Sequence, residues 1–150
     1  MIGMILIGHA HVASEMKAAI EHILGKQAYM EALDVTSTTD TNHLQDELEA
    51  MVHRCNRGYG ILIFADLFGG TPCNIALSYL KSGECEVISG FNLPALIKAA
   101  SCRDNTHVAL NQLAHQIIES GQQYICLASD FMTTPRQPVG KTNKVSASHA

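Results

Sequence analysis

The sequence predicts an α/β protein in which a mostly parallel sheet lies between two layers of helices. Short apolar segments of strand length alternate along the chain with amphipathic helical patterns. The strongest segment, residues 60–66 (GILIFAD), is apolar up to its last residue, as a strand covered on both faces should be. A length of 150 residues with 47% hydrophobic and 16% charged residues suits one core-forming domain. Together these observations predict a three-layer sandwich.

The first half of the chain supplies two strand–helix units. Residues 2–7 form a continuous apolar run of strand length that ends at Gly8 and His9. Residues 12–24 predict a helix that Gly25 ends, because its apolar residues fall on one helical face. Residues 30–35 are a weaker strand candidate. A second helix follows, with apolar residues at helical spacing: Leu44, Leu48, Met51, Val52 and Cys55.

The second half continues the alternation with the strand 60–66 and a helix at about 72–80. Next come a short strand at 86–89, helices at 93–100 and from about 108 to 118, and a last strand at 124–128. Residues 133–150 contain two prolines and many serines and threonines without a periodic apolar pattern. We therefore predict a domain at 1–132 and a flexible tail at 133–150.

Right-handed crossovers between these strands allow the order 2-1-3-4. This order makes the first and third strands neighbours, and the winding of the sheet reverses between them. Ligands of such folds bind in the crevice at the carboxyl ends of those strands. The two strands end at His9 and Asp66. The sequence therefore predicts that this imidazole and this carboxylate lie side by side in the crevice.

An imidazole beside a carboxylate has a definite chemistry. If Asp66 accepts a hydrogen bond from Nδ1–H of His9, the tautomer is fixed and Nε2 becomes an outward-facing nucleophile. The following Gly69, Gly70 and Thr71, with a proline next, predict a tight turn and a helix start whose N–H groups bind phosphate. Taken singly, these residues also fit a structural histidine, a strand-end cap and an ordinary turn. Taken together, they predict phosphoryl acceptance on His9.

A metal site is an alternative for the same residues. His9, His11 and Asp66 resemble part of a ligand set, but the sequence shows no evident fourth ligand, so we predict no metal and no other cofactor. Five cysteines without a CxxC pair disfavour a disulfide framework and a thiolate zinc site, and they fit a reducing cytoplasm.

Charge and hydropathy exclude further classes. The net charge of −4 and the scattered Lys and Arg residues disfavour a nucleic-acid partner. The apolar runs are too short for a membrane span, and no signal peptide is evident at the start.

Three segments resemble a known family: MIGMILIGHAHVASEM, ILIFADLFGGTPCNIAL and EVISGFNLPALIKA. They look like the enzyme IIA component of the mannose family in the bacterial phosphoenolpyruvate-dependent sugar phosphotransferase system, over roughly residues 1–130. The stretches DLFGGTPCN and GFNLP carry most of the specificity. The resemblance implies a cytoplasmic phosphocarrier that takes a phosphoryl group from HPr onto His9, at Nε2, and passes it to an enzyme IIB. Asp66 then matches the orienting carboxylate, and Gly70 and Thr71 match phosphate contacts.

The resemblance also implies partners. Leu67 and Phe68 match positions that meet the partner protein, although covering the core is the plainer interpretation. Family members are usually homodimers in which the last strand, here 124–128, lies antiparallel in the partner's sheet, and they reach the membrane only through a transporter complex. This chain departs from the pattern at Ala10, where glycine is common.

Two alternatives in function stay open. A regulatory phosphoprotein that signals without sugar transport is suggested by the lack of a following IIB domain. The related phosphocarrier subunit of dihydroxyacetone kinase is a rival that GGTPCN disfavours. A response-regulator receiver is disfavoured more strongly, because its first strand would end in an acidic pair rather than in Gly8 and His9.

Overall fold

The computed structural model describes residues 1–132, so the predicted tail at 133–150 lies outside the described residues. The strands are β1 (Gly3–His9), β2 (Met30–Val35), β3 (Ile61–Ala65) and β4 (Cys85–Ser89). The helices are α1 (Val12–Leu24), α2 (Thr41–Cys55), α3 (Thr71–Leu77), α4 (Leu93–Cys102), α5 (Leu110–Gln123) and α6 (Ala128–Met132).

The four strands form one sheet in the order β2-β1-β3-β4, and every neighbouring pair is parallel. The predicted order 2-1-3-4 is confirmed. Near the carboxyl end of β1, Ile7 lies opposite Ala65 on β3 and Gly8 lies opposite Asp34 on β2. The last residue of β1, His9, therefore sits between the ends of two neighbouring strands, at the point where the winding reverses.

The core has two halves because side chains of a strand alternate between its faces. Met4 and Leu6 of β1 face one cluster with residues of α1, α4 and α5. Ile5 and Ile7 face a second cluster with residues of α2 and α3. Burying each such side chain stabilises the fold by about 1.5–3 kcal/mol. With both faces covered, β1 holds the backbone of His9 in a fixed position.

The predicted last strand at 124–128 does not form within the described chain. Tyr124 caps the end of α5, and α6 begins at Ala128. The continuous apolar run of this segment fits a strand, but a strand also needs a neighbour with which to form a hydrogen-bond ladder, and within the described residues this segment pairs with none. Tyr124, Ile125 and Leu127 are accordingly exposed.

Arg103 is a buried cation that the sequence analysis does not identify. Its side chain is 2% exposed and donates hydrogen bonds to the Tyr29 carbonyl and to Oε1 of Gln27. Its own carbonyl accepts from the N–H of Ile2. Burial lowers the pKa of the guanidinium. Arg103 thus ties the start of β1 to the segment before β2, at the end of the sheet opposite His9.

The cysteines of the core behave as small apolar residues. Cys55, Cys73 and Cys85 are buried, whereas Cys126 is exposed. Burial raises the pKa of Cys55 and of Cys85 to about 11, so both thiols stay protonated at neutral pH. Among the described residues, no helix is both long enough and apolar enough to cross a membrane.

Candidate functional site

The centre of the candidate site is a double contact between His9 and Asp66. Oδ2 of Asp66 accepts the backbone N–H of His9 at 2.8 Å and lies 2.9 Å from its Nδ1. Because an ionised carboxylate can only accept, Nδ1 carries the hydrogen, and a neutral ring keeps its lone pair on Nε2. The His9 side chain is 50% exposed and that of Asp66 is 15% exposed. The carboxylate is therefore sheltered, while the imidazole is open to solvent.

The second oxygen of Asp66 is left without a partner. Oδ1 is buried and accepts no hydrogen bond from the residues that the structure describes. Folded proteins rarely leave a buried acceptor unpaired, because losing its water costs about 1–3 kcal/mol. Asp66 therefore holds His9 through one oxygen, while its other oxygen has no partner among the described residues.

The loop between β3 and α3 contains two glycines, and one of them, Gly70, lies against the ring. Gly69 has a positive φ of 83°, which side chains disfavour. At Gly70, an added Cβ would stand 2.8 Å from Cε1 and 3.3 Å from Nε2 of His9. Gly70 therefore packs on the Cε1–Nε2 edge of the imidazole at a distance that only glycine permits. Thr71 follows as the exposed first residue of α3.

A cavity of about 630 Å³ opens beside His9. Thr71 lines it on one side, and His11 lines it as well. Hydroxyl side chains of the segment after β2 and of the first residue of α2 also line it: Thr36, Ser37, Thr39 and Thr41. The cavity thus combines an imidazole with several groups that hydrogen-bond to phosphate oxygens.

His11 belongs to a second imidazole–carboxylate pair. Its Nδ1 lies 3.1 Å from Oδ2 of Asp34, which also accepts from the hydroxyl of Ser14 at 2.6 Å. Oδ1 of Asp34 accepts the N–H of Ser14 at 3.0 Å and so caps α1 from outside the helix. Burial raises the pKa of Asp34, but the bonds from Ser14 and His11 outweigh it, so the pKa lies below its ordinary value.

The sequence analysis did not identify Asp34. One signal could have done so: a lone carboxylate near the end of a strand that neighbours β1. Because His11 pairs with Asp34 rather than with Asp66, the set His9, His11 and Asp66 is not assembled. Residues 1–132 contain no cluster of three His, Cys, Asp or Glu side chains able to hold a metal ion.

Ala10 connects the two histidines in a left-handed conformation. Its φ is 50°, which costs a residue with a side chain roughly 1–2 kcal/mol. The glycine that the family resemblance leads one to expect would adopt this conformation without strain. The turn allows His9 and His11, two positions apart, to line the same cavity.

Leu67 and Phe68 follow Asp66 directly and project into solvent. Their side chains are 60% and 73% exposed, respectively. They do not cover the core, which was the plainer interpretation of their sequence position. They form an apolar rim beside the candidate site.

Fold and site together define a class: a doubly wound α/β protein with a carboxylate-oriented histidine at its switch point. The model of the family described as "PTS system fructose IIA component" matches residues 3–118. The chain belongs to this mannose-type family of enzyme IIA components of the sugar phosphotransferase system.

Relatives with assigned EIIA roles match this chain over most of its length. The sorbose-specific EIIA component of Lacticaseibacillus casei is 30% identical over 131 residues, which span 87% of this chain and 93% of the relative. The fructose-specific EIIA component of Bacillus subtilis is 26% identical over 88% of this chain and 90% of its own length. A crystal structure of an EIIA component from Streptococcus agalactiae superposes with a TM-score of 0.77 at 26% identity, covering 87% of this chain and 99% of that one.

Proposed function

We propose that the protein is a phosphocarrier that accepts a phosphoryl group on Nε2 of His9 and passes it to an enzyme IIB component. The observation that carries the proposal is the 2.9 Å contact between Nδ1 of His9 and Oδ2 of Asp66 on a half-exposed ring. This contact favours the tautomer whose lone pair is available at Nε2.

The proposed transfer needs no proton movement. The lone pair of Nε2 attacks the phosphorus of a phosphohistidine on HPr, a new N–P bond forms, and the donor's N–P bond breaks with its electron pair returning to the donor's imidazole. The phosphorylated ring retains Nδ1–H and is cationic, and Asp66 stabilises that charge. Delivery to the IIB component is the same displacement with His9 as the leaving group.

The neighbouring loop supports this assignment. We assign phosphate contacts to the backbone of Gly69 and Gly70 and to the hydroxyl of Thr71, because Gly70 touches the Nε2 edge of the ring and Thr71 lines the adjoining cavity. Phosphoryl transfer depends mainly on positioning and charge stabilisation, which a loop of this kind can supply. We assign docking of HPr and IIB to the exposed Leu67 and Phe68, and we place the relay in the cytoplasm.

We also propose that the protein works as a homodimer. β4 lies at the edge of the sheet, and apart from a bridge between Lys81 and Cys85 its outer side has no strand partner within the described chain. The segment that follows α5 exposes large apolar side chains: Tyr124, Ile125, Leu127, Phe131 and Met132. An apolar segment next to an open sheet edge fits antiparallel pairing with a second copy. No observation on the described residues favours the regulatory alternative.

The test of the proposed function is phosphoryl labelling. Incubation with phosphoenolpyruvate, enzyme I and HPr should give one acid-labile phosphoryl group per chain in the wild type and none in His9→Ala. His53→Ala, at an exposed histidine on α2, is the matched control and should label fully. Comparison of unfolding curves checks that each variant is folded. Full labelling of His9→Ala would refute the assignment.

A further inference from the structure

The cavity beside His9 has an unbalanced charge. Two carboxylates, Asp66 and Asp34, lie behind its histidines. No Lys or Arg of residues 1–132 is among the residues that line it. Sites of phosphoryl transfer normally meet the charge of the phosphoryl oxygens with Lys, Arg or a metal ion. A side-chain cation beside the backbone N–H groups of the loop would add to the stabilisation of the phosphoryl charge, and His9, as the nucleophile, cannot supply it before it is phosphorylated.

His11 is the other lining residue that can carry a positive charge. Its side chain is 75% exposed, and Asp34 fixes its orientation through Nδ1. Asp34 has no free hydrogen to offer and only accepts, so Nδ1 of His11 is protonated in both charge states of the ring. Nε2 is then the atom that gains or loses the proton.

We propose that His11, protonated at Nε2 and held by Asp34, donates a charge-assisted hydrogen bond to the phosphoryl group while it is transferred at His9. The inference rests on the proposed function and adds a phosphate-contacting residue to it. The proton is taken from solvent, and the phosphoryl oxygens accept it only as a hydrogen bond. Asp34 is a positioning residue that acts through His11.

The local structure explains how the two rings share a ligand. Ala10 turns the chain between them, with φ at 50°, and both rings line the same cavity. Asp34 on β2 is the acidic group that contacts His11. The other titratable groups on the elements around it are His9 on β1, Asp66 after β3, Glu15 in the first turn of α1 and Asp40 before α2.

The experiment compares labelling rates from phosphorylated HPr for wild type and His11→Gln across a range from about pH 6 to pH 9, which spans the ordinary histidine pKa near 6.5. We expect wild type to be roughly 10- to 100-fold faster at the acidic end, the usual effect of one hydrogen bond to a charged group. The two rates should converge at the alkaline end, because the proposed bond requires an imidazole protonated at Nε2. Effects of pH that are common to wild type and variant cancel in the ratio.

Two further variants complete the design. His11→Lys keeps a cation at alkaline pH and should exceed the wild-type rate there, while His53→Gln on α2 should match wild type throughout. His11→Lys also serves as the test if His11→Gln fails to fold. A ratio of one at every pH, or a constant ratio above one, would overturn the role of His11 and leave the proposed function standing. Absence of labelling in the wild type would instead refute the proposed function.

Discussion

Asp66 binds His9 twice through a single oxygen, although 57 positions separate the two residues in the chain. One contact, at 2.8 Å, holds the backbone N–H of His9, and the other, at 2.9 Å, holds Nδ1 of its ring. The carboxylate therefore fixes both the place where β1 ends and the direction in which the imidazole points. This arrangement leads to predictions in which the transfer rate and the stability of the fold change independently.

Asp66→Asn should slow phosphoryl transfer roughly 10- to 100-fold, the usual cost of losing a group that orients a functional histidine. The amide can present its NH₂ group to Nδ1, which moves the ring hydrogen to Nε2 and blocks the nucleophile. Rapid-quench labelling measures the rate, and an unfolding curve close to that of the wild type shows that the fold is intact. An unchanged rate would contradict the orienting role.

Gly70→Ala should reduce transfer strongly, because the new Cβ would lie 2.8 Å from Cε1 of His9 and displace the ring. Gly83→Ala is the matched control outside the site: its φ of 77° makes alanine strained, but nothing lies within 4 Å of the added atom. We expect Gly83→Ala to lose roughly 1–2 kcal/mol of stability with the smaller effect on rate. Equal rates in the two variants would show that contact with the ring does not matter.

Phe68→Ala should weaken docking of HPr and raise the apparent KM for phosphorylated HPr roughly 10-fold, with little change in unfolding free energy. An exposed aromatic side chain that becomes buried in an interface commonly contributes more than 1 kcal/mol to binding. Tyr59→Ala is the control, since Tyr59 is also exposed but lines a cavity at the other end of the sheet. Steady-state transfer at varied HPr concentration gives the KM, and equal values for both variants would exclude the rim as a docking surface.

Asp34→Asn should lower stability at neutral pH by about 1–2 kcal/mol, because the carboxylate caps α1 through Ser14. The folded pKa of Asp34 lies below its ordinary value of 3.8. Its ionised form therefore stabilises the fold above that value, and this contribution is lost as pH falls through the lower folded pKa. Urea unfolding at several pH values should show the difference between wild type and variant shrinking toward acid. A difference that stays constant down to about pH 2 would contradict the ionic cap.

Leu127→Lys should shift the protein from dimer to monomer, because it places a charge in the apolar segment that we propose to pair with a second copy. Leu80→Lys is the control, at another exposed leucine outside that segment. Light scattering coupled to size exclusion measures the mass. A wild-type monomer at the concentrations used for transfer would contradict the proposed dimer.

The sequence was sufficient to predict the sheet and its order, because the runs at β1 and β3 are apolar on both faces and end in polar residues. The 2-1-3-4 order then brought the ends of those two strands together, and with them His9 and Asp66. The last strand does not form within the described chain for a physical reason: the apolar run at 124–128 describes side chains, whereas a strand also requires a hydrogen-bonding neighbour, which the described chain does not supply.

The contacts around His11 and Arg103 could not be predicted from the sequence, for a different reason. Asp34 reaches His11 only because the register sets Gly8 opposite Asp34. Arg103 follows a helix as an ordinary charged residue, and its burial depends on carbonyl and amide acceptors supplied from the segment before β2. Long-range pairings of this kind leave no periodic trace along the chain.

The buried guanidinium at the far end of the sheet affects how damaging substitutions should be interpreted. Replacing Arg103 would leave the Tyr29 carbonyl and Oε1 of Gln27 without their hydrogen-bond donor. It would therefore reduce the fraction of molecules that are folded rather than the activity of each folded molecule. In a cell, the resulting loss of total activity would look the same as the loss caused by replacing His9. Only activity normalised to the amount of folded protein would distinguish a loss of stability from a loss of function at the site.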